Sequence, residues 1–142
     1  MNFIDATKNY FIKWLDFNTR ISRSEFWWGY LGSSVVGILV GLCIGFVSVF
    51  FAAMMGWDVE TTVNLAILPF QLYLTVAALS LVVRRLHDLN KSGWWVLIVL
   101  TIVGVFILLY WYCKKGDEVE NRFGVNPLAQ EDTGSFSTES SI

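Results

Sequence analysis

The chain has 142 residues, 55% of them hydrophobic and 16% aromatic, with a mean hydropathy of +0.55 and a formal net charge of −2. That is too apolar for a soluble domain of this size, which buries only part of its nonpolar surface. The absence of net basicity excludes bulk electrostatic binding to nucleic acid. Cys43 and Cys113 both sit inside apolar runs, with no metal-ligand spacing and in positions unsuited to a disulfide with each other.

The first 25 residues alternate charges with aromatics, and no apolar core of a cleavable signal peptide is expected there. Phe3, Ile4, Tyr10, Phe11, Trp14, Leu15 and Phe17 recur at near-helical spacing among Asp5, Lys8, Lys13 and Asp16. This predicts a short amphipathic helix, lying in the membrane interface or packed on the rest of the protein. Ser22 and Glu25 then have capping-box spacing, with Ile21 and Phe26 placed to form a hydrophobic staple. A second helix therefore starts here.

From Phe26 to Trp57 there is no charge. As one helix this run would measure about 48 Å, against a hydrocarbon core of about 30 Å. It must protrude, or end in a loop near Met54-Met55-Gly56. Gly29, Ser33, Gly37, Gly41 and Gly45 recur at every fourth position. Such a ladder lets another helix approach closely, whether from this chain or from a second copy. Asp58 and Glu60 make an acidic connection to a second span, in which Pro69 would kink the helix or delay its start. Gln71 and Thr75 in that span are expected to bond to a neighbouring helix. A third span follows, with Gly104 in its middle and Tyr110, Trp111 and Tyr112 as an aromatic belt at its end.

The predicted architecture is an all-α membrane protein. A single integral-membrane domain over 1–128 contains spans at about 27–55, 62–83 and 93–113, preceded by the amphipathic interfacial helix. Residues 129–142 are polar and small and are predicted to form a disordered tail. Lys8, Lys13, Arg20, Arg23, Arg84, Arg85 and Lys91 all fall on the N-terminal side of this arrangement. The positive-inside rule then predicts a cytoplasmic N-terminus and, with three crossings, a periplasmic C-terminus. Lys114 and Lys115 argue the other way, for a re-entrant third segment or a fourth crossing.

Between the second and third spans lies Arg84-Arg85-Leu86-His87-Asp88-Leu89-Asn90-Lys91, which holds the only histidine. On a helix either Arg84 or Arg85 can pair with Asp88. With Arg20, Arg23 and Glu25 these form a candidate polar cluster at the cytoplasmic face: Arg20, Arg23, Glu25, Arg84, Arg85, His87, Asp88 and Lys91. A histidine beside a carboxylate could accept a proton or a metal. One histidine without a second one or a cysteine is a poor metal set, however, and no serine nucleophile with an oxyanion arrangement is evident. No catalytic, cofactor-binding or metal residue is therefore assigned. Two readings remain: snorkelling anchors beside anionic lipid headgroups, or a polar cluster that locks the helices together. The second is preferred.

Several of these stretches carry a resemblance. The aromatic N-terminal helix, Arg20 to Trp28, Arg84-Arg85-Leu86-His87-Asp88, Lys91-Ser92-Gly93-Trp94-Trp95 and Glu120-Asn121-Arg122-Phe123-Gly124 together resemble the small bacterial inner-membrane proteins of the YhaH type, family eight hundred and five of the domains of unknown function. The resemblance covers roughly residues 3–128. It implies a bacterial inner membrane and several helices, and brings no established activity. The function expected is a non-enzymatic structural or interaction component of the envelope; the alternative is a small transporter or channel component. The uncharged spans speak against the alternative, since ion and proton paths usually leave a charge at depth. Expected partners are the bilayer, its anionic headgroups and a homo-oligomer or membrane-protein partner, with no nucleic acid and no cofactor.

Overall fold

A computed structural model of the protein describes residues 2–129. Four α-helices and one 3₁₀ segment make up its regular structure, in the order α1 (Phe3–Ile12), α2 (Arg23–Met55), α3 (Val59–Asp88), the 3₁₀ segment Gly93–Leu100 and α4 (Ile102–Cys113). The predicted tail lies, apart from Ala129, outside the described residues.

Side-chain caps set the helix starts. Asn2 accepts from the Asp5 amide, Ser22 from that of Glu25 and Asp58 from that of Thr61, each satisfying an amide that the helix itself leaves unpaired. Gly56 closes α2 with φ of +69°, a left-handed conformation that glycine adopts without steric penalty. α3 starts at Val59 and continues through Pro69, so the proline does not delay it. Spans α2 and α3 are 33 and 30 residues long, or about 50 and 45 Å. Only 11% and 17% of their most apolar windows are buried within the protein. Side chains such as Phe46 at 77% and Leu42 at 67% exposure therefore face outward, as a lipid-facing surface requires and a soluble core does not.

α2 and α3 pack side by side, and α1 crosses them at the end that carries the chain's N-terminus. There Tyr10, Ile21, Phe26, Ala77 and Leu81 form the buried core. Ala6 and Tyr10 turn inward from α1, while Phe3, Ile4 and Ile12 stay exposed. The Tyr10 hydroxyl donates to the Leu74 carbonyl (3.0 Å) and the Tyr73 hydroxyl to that of Phe11 (2.7 Å), fastening α1 to α3. The glycine ladder packs mainly within the chain. A Cβ at Gly29 would meet Leu81 and the Ala6 carbonyl, one at Gly37 would meet Leu74, and one at Gly41 would meet Ile67. Ser33 is buried in the same row, whereas a Cβ at Gly45 would meet nothing within 4 Å.

The segment expected to be a third continuous span, 93–113, is broken at Thr101. This residue is extended, with φ −110° and ψ 142°. Its hydroxyl donates to the Ile98 carbonyl (2.8 Å) and accepts from the Gly104 amide (3.0 Å), so one side chain ends the 3₁₀ segment and caps α4. Any side chain at Gly104 would collide with the Ile98 carbonyl. The two halves fold back on each other. Trp95 and Trp111 stack edge to face at 5.4 Å, and the Lys91 ammonium lies 4.2 Å from the Trp111 ring. The beginning and end of the segment thus share one end of the bundle, and the chain after Cys113 emerges beside α1 rather than at the far end. The continuous third helix expected over 93–113 is thus two segments divided at Thr101. At about 18 Å, α4 reaches little more than halfway through a bilayer core.

Candidate functional site

The polar cluster forms at the end where α1, the close of α3 and the post-α4 segment meet, and Asp88 is its centre. This carboxylate is 3% exposed. One oxygen accepts from Arg20 through Nε (3.2 Å) and Nη2 (3.1 Å). The other accepts from Nη1 of Arg85, the residue three positions earlier on α3. Two guanidiniums on one buried carboxylate carry excess positive charge, and nearby carbonyl dipoles take up their remaining donors. Arg20 bonds the carbonyls of Asp117 (2.6 Å), Val119 (3.0 Å) and Gly124 (2.8 Å). Arg85 bonds those of Tyr112 (3.2 Å) and Lys114. The Asp117 amide in turn donates to the Asp88 carbonyl (2.9 Å). Gly116 lets the chain pass this close, because a Cβ there would overlap the Asp88 carboxylate.

The other predicted members occupy distinct places. Arg84 is fully buried and turns away from Asp88. Its guanidinium has no hydrogen-bond partner among the described residues and is influenced by the Glu25 and Asp16 carboxylates through space. Glu25 is buried and accepts from Asn9 (3.0 Å). Ser22 caps its amide as the capping-box spacing predicts. His87 stacks on Phe123 at 3.7 Å, and its carbonyl accepts from the Asn121 side chain (3.0 Å). Arg23 is exposed and only grazes the Cys113 carbonyl (3.4 Å), and Lys91 is taken up by the two tryptophans. Asp16 closes the turn into α2. Partial burial pushes its carboxyl up, but the Thr19 hydroxyl and the Asn18 and Thr19 amides outweigh that and hold it below the usual carboxylate range.

The contribution of the post-α4 segment is absent from the predicted cluster. Asp117, Asn121, Phe123 and Gly124 complete the site, although the stretch Glu120-Asn121-Arg122-Phe123-Gly124 was expected across the membrane from it. Lys114 and Lys115 were the sequence signal that it returns. Gly32 is a second omission. It lies off the ladder, yet a side chain there would run into Thr7 of α1.

Chemically the site is closed. Both Asp88 oxygens are engaged by cations, and the buried carboxylate is held as an ion-pair partner rather than presented as a base. Among the described residues no group of three His, Cys, Asp or Glu side chains could hold a metal. Two helices long and apolar enough to cross a membrane, together with a folded-back apolar segment, are the architecture of an α-helical membrane protein.

The family profile described as protein of unknown function (DUF805) matches residues 14–125, and the chain belongs to that family. It is 29% identical over 126 residues to the inner membrane protein YhaH of Escherichia coli K12, an alignment covering 88% of this chain and 94% of YhaH. It is equally similar, at 29% over 126 residues, to the inner membrane protein YhaI of the same strain, 93% of which is covered. No solved structure matches the chain.

Proposed function

We propose that the protein is a non-catalytic scaffold of the inner membrane, crossing it twice with α2 and α3 and dipping into one leaflet with the 3₁₀ segment and α4. Both termini and the 84–91 turn then lie on the cytoplasmic side. The observation that carries this reading is the internal use of the Asp88 cluster: Arg20 and Arg85 spend their donors tying the chain's last described segment to α3. Charges used this way fix a shape and are not free to turn over a substrate. The cytoplasmic side gains Lys114, Lys115 and Arg122 under this topology, so all ten basic residues fall on one face, in keeping with the positive-inside rule. Uncharged α2 and α3 interiors support a scaffold over an ion path.

Reporter fusions test the topology. A reporter active only in the cytoplasm should be active after Asn126, and a membrane-impermeant thiol reagent should label Trp57→Cys from outside, in a chain with Cys43 and Cys113 changed to serine. Periplasmic activity after Asn126 would overturn the two-crossing arrangement. Ion or solute flux in liposomes holding the purified protein would overturn the scaffold reading.

A further inference from the structure

One face of α3 lies under the turn that joins α1 to α2. Ser80 and Arg84, one helical turn apart on that face, are both 0% exposed. The Ser80 hydroxyl is shared between the carbonyls of Lys13 (3.1 Å) and Asp16 (2.7 Å), which fastens the turn to the helix. Arg84 has no such tie. Its Nε, Nη1 and Nη2 are all buried, and none has a hydrogen-bond partner among the described residues. The adjacent Arg85, by contrast, bonds Asp88 and two carbonyls. His87 is a second case of the same kind, 6% exposed with Nδ1 buried and unpartnered. The Asp16 carboxylate acts through space on both Arg84 and His87.

We infer that internal water molecules are bound on this face of α3 and bridge the Arg84 guanidinium to the carboxylates of Asp16 and Glu25. A guanidinium stays charged and carries five N–H donors. Buried donors in native proteins are satisfied either by protein groups or by ordered water. Direct pairing is closed off by what the two carboxylates already do. Asp16 accepts from the Asn18 and Thr19 amides and from the Thr19 hydroxyl, bonds that shape the turn. Glu25 accepts from Asn9 and stands in the first turn of α2. Swinging either onto Arg84 would give up these bonds, whereas water extends the reach of both without moving them. A bound anion is disfavoured by charge, because two carboxylates already act on this one cation and a third negative group would be repelled. Water both donates and accepts, so it can serve the guanidinium donors, the carboxylate oxygens and the imidazole nitrogen alike.

The test uses the full chain, isotope-labelled, in detergent micelles. The Arg84 Nε–H resonance is identified by its loss in Arg84→Lys. It should show a cross-peak at the water frequency with a sign opposite to the diagonal in the rotating frame, the mark of a water held in place. Proton exchange with passing solvent gives the diagonal's sign instead. Bridging through water also tolerates a change of donor geometry that a direct fork does not. Arg84→Lys should therefore lower the melting midpoint less than Arg85→Lys does. Arg84→Met, which removes the charge facing both carboxylates, should lower it more than Arg84→Lys; where the methionine variant fails to fold, the two lysine variants decide. Contacts from Nε–H to the Asp16 or Glu25 methylenes without a water peak would show direct pairing and overturn the inference. So would a peak of the diagonal's sign, a saturable shift of the resonance on adding chloride or inorganic phosphate, or an Arg84→Lys chain that melts as low as Arg85→Lys.

Discussion

Replacing Asp88 by asparagine isolates the ionic cluster from everything around it. The side chain keeps its size and one acceptor oxygen, but the charge facing Arg20 and Arg85 disappears and an NH₂ group is turned toward a guanidinium. Both arginines are buried, at 7% and 0% exposure, so water cannot compensate them. Breaking a buried pair from one side costs about 3–5 kcal/mol. The carbonyls that also hold the arginines keep this variant near the lower end, at about 3 kcal/mol. For a chain of this size that corresponds to a fall in melting midpoint of roughly 6–12 °C. The assay is thermal unfolding in detergent followed by loss of the monodisperse size-exclusion peak. Glu118→Gln is the control, because its ion pair with Lys115 is 62% and 69% exposed and is screened by solvent. If Asp88→Asn falls no further than Glu118→Gln, the cluster does not hold the fold together. Combining Asp88→Asn with Arg20→Gln should cost clearly less than the sum of the two changes, since each already abolishes the same interaction.

Arg85→Lys should lower the melting midpoint more than Lys91→Arg, because one ammonium cannot reach Asp88, the Tyr112 carbonyl and the Lys114 carbonyl together, whereas an arginine at 91 still covers the tryptophan rings. Gly32→Val should destabilise by about 1–3 kcal/mol through overlap with Thr7, while Gly45→Ala, in open space, should be neutral or gain up to about 1 kcal/mol of helix propensity; equal effects of the two in the same unfolding assay would refute the packing account. Asp16 has a lowered folded value, so its contribution is present above the unfolded carboxyl range, near pH 4, and is lost as pH falls through that lowered value. Thr19→Val should therefore melt below the parent at pH 6 and converge with it in acid; a gap that widens in acid would refute the assignment.

How much of this was legible beforehand depended on sequence distance. Ser22 was legible as a cap because a side-chain oxygen and the amide it serves lie three residues apart, whereas Asp58, with the same spacing to Thr61, was read only as part of an acidic connection. Arg85 with Asp88 was legible for the same reason. Arg84 was not, since the choice between Asp88 and the Asp16–Glu25 side depends on which way a whole helix face turns. Lys114 and Lys115 hinted at a return, but its position at Thr101 was hidden inside an uncharged run, where hydrophobicity marks membrane affinity and carries no information about direction. A threonine and a glycine three residues apart reverse the chain there, and each on its own is ordinary in a membrane segment. The bonds from Arg20 to Val119 and Gly124 join residues about a hundred positions apart, and only the tertiary structure brings them together.

Those long bonds also set an order of events. Arg20 reaches carbonyls at 119 and 124, and its carboxylate partner lies 68 residues away at Asp88. At synthesis rates of about 5–20 residues per second, the arginine waits roughly 5–20 s for its last acceptors to exist. During that interval the crossing helices can be inserted, but the cluster that joins them is incomplete, with cations exposed that the finished protein conceals. Synthesis past Gly124 is therefore registered by the structure itself. A product stopped before Gly124 would be threaded yet unfastened, and its open end would present basic side chains where the full-length protein presents a closed surface.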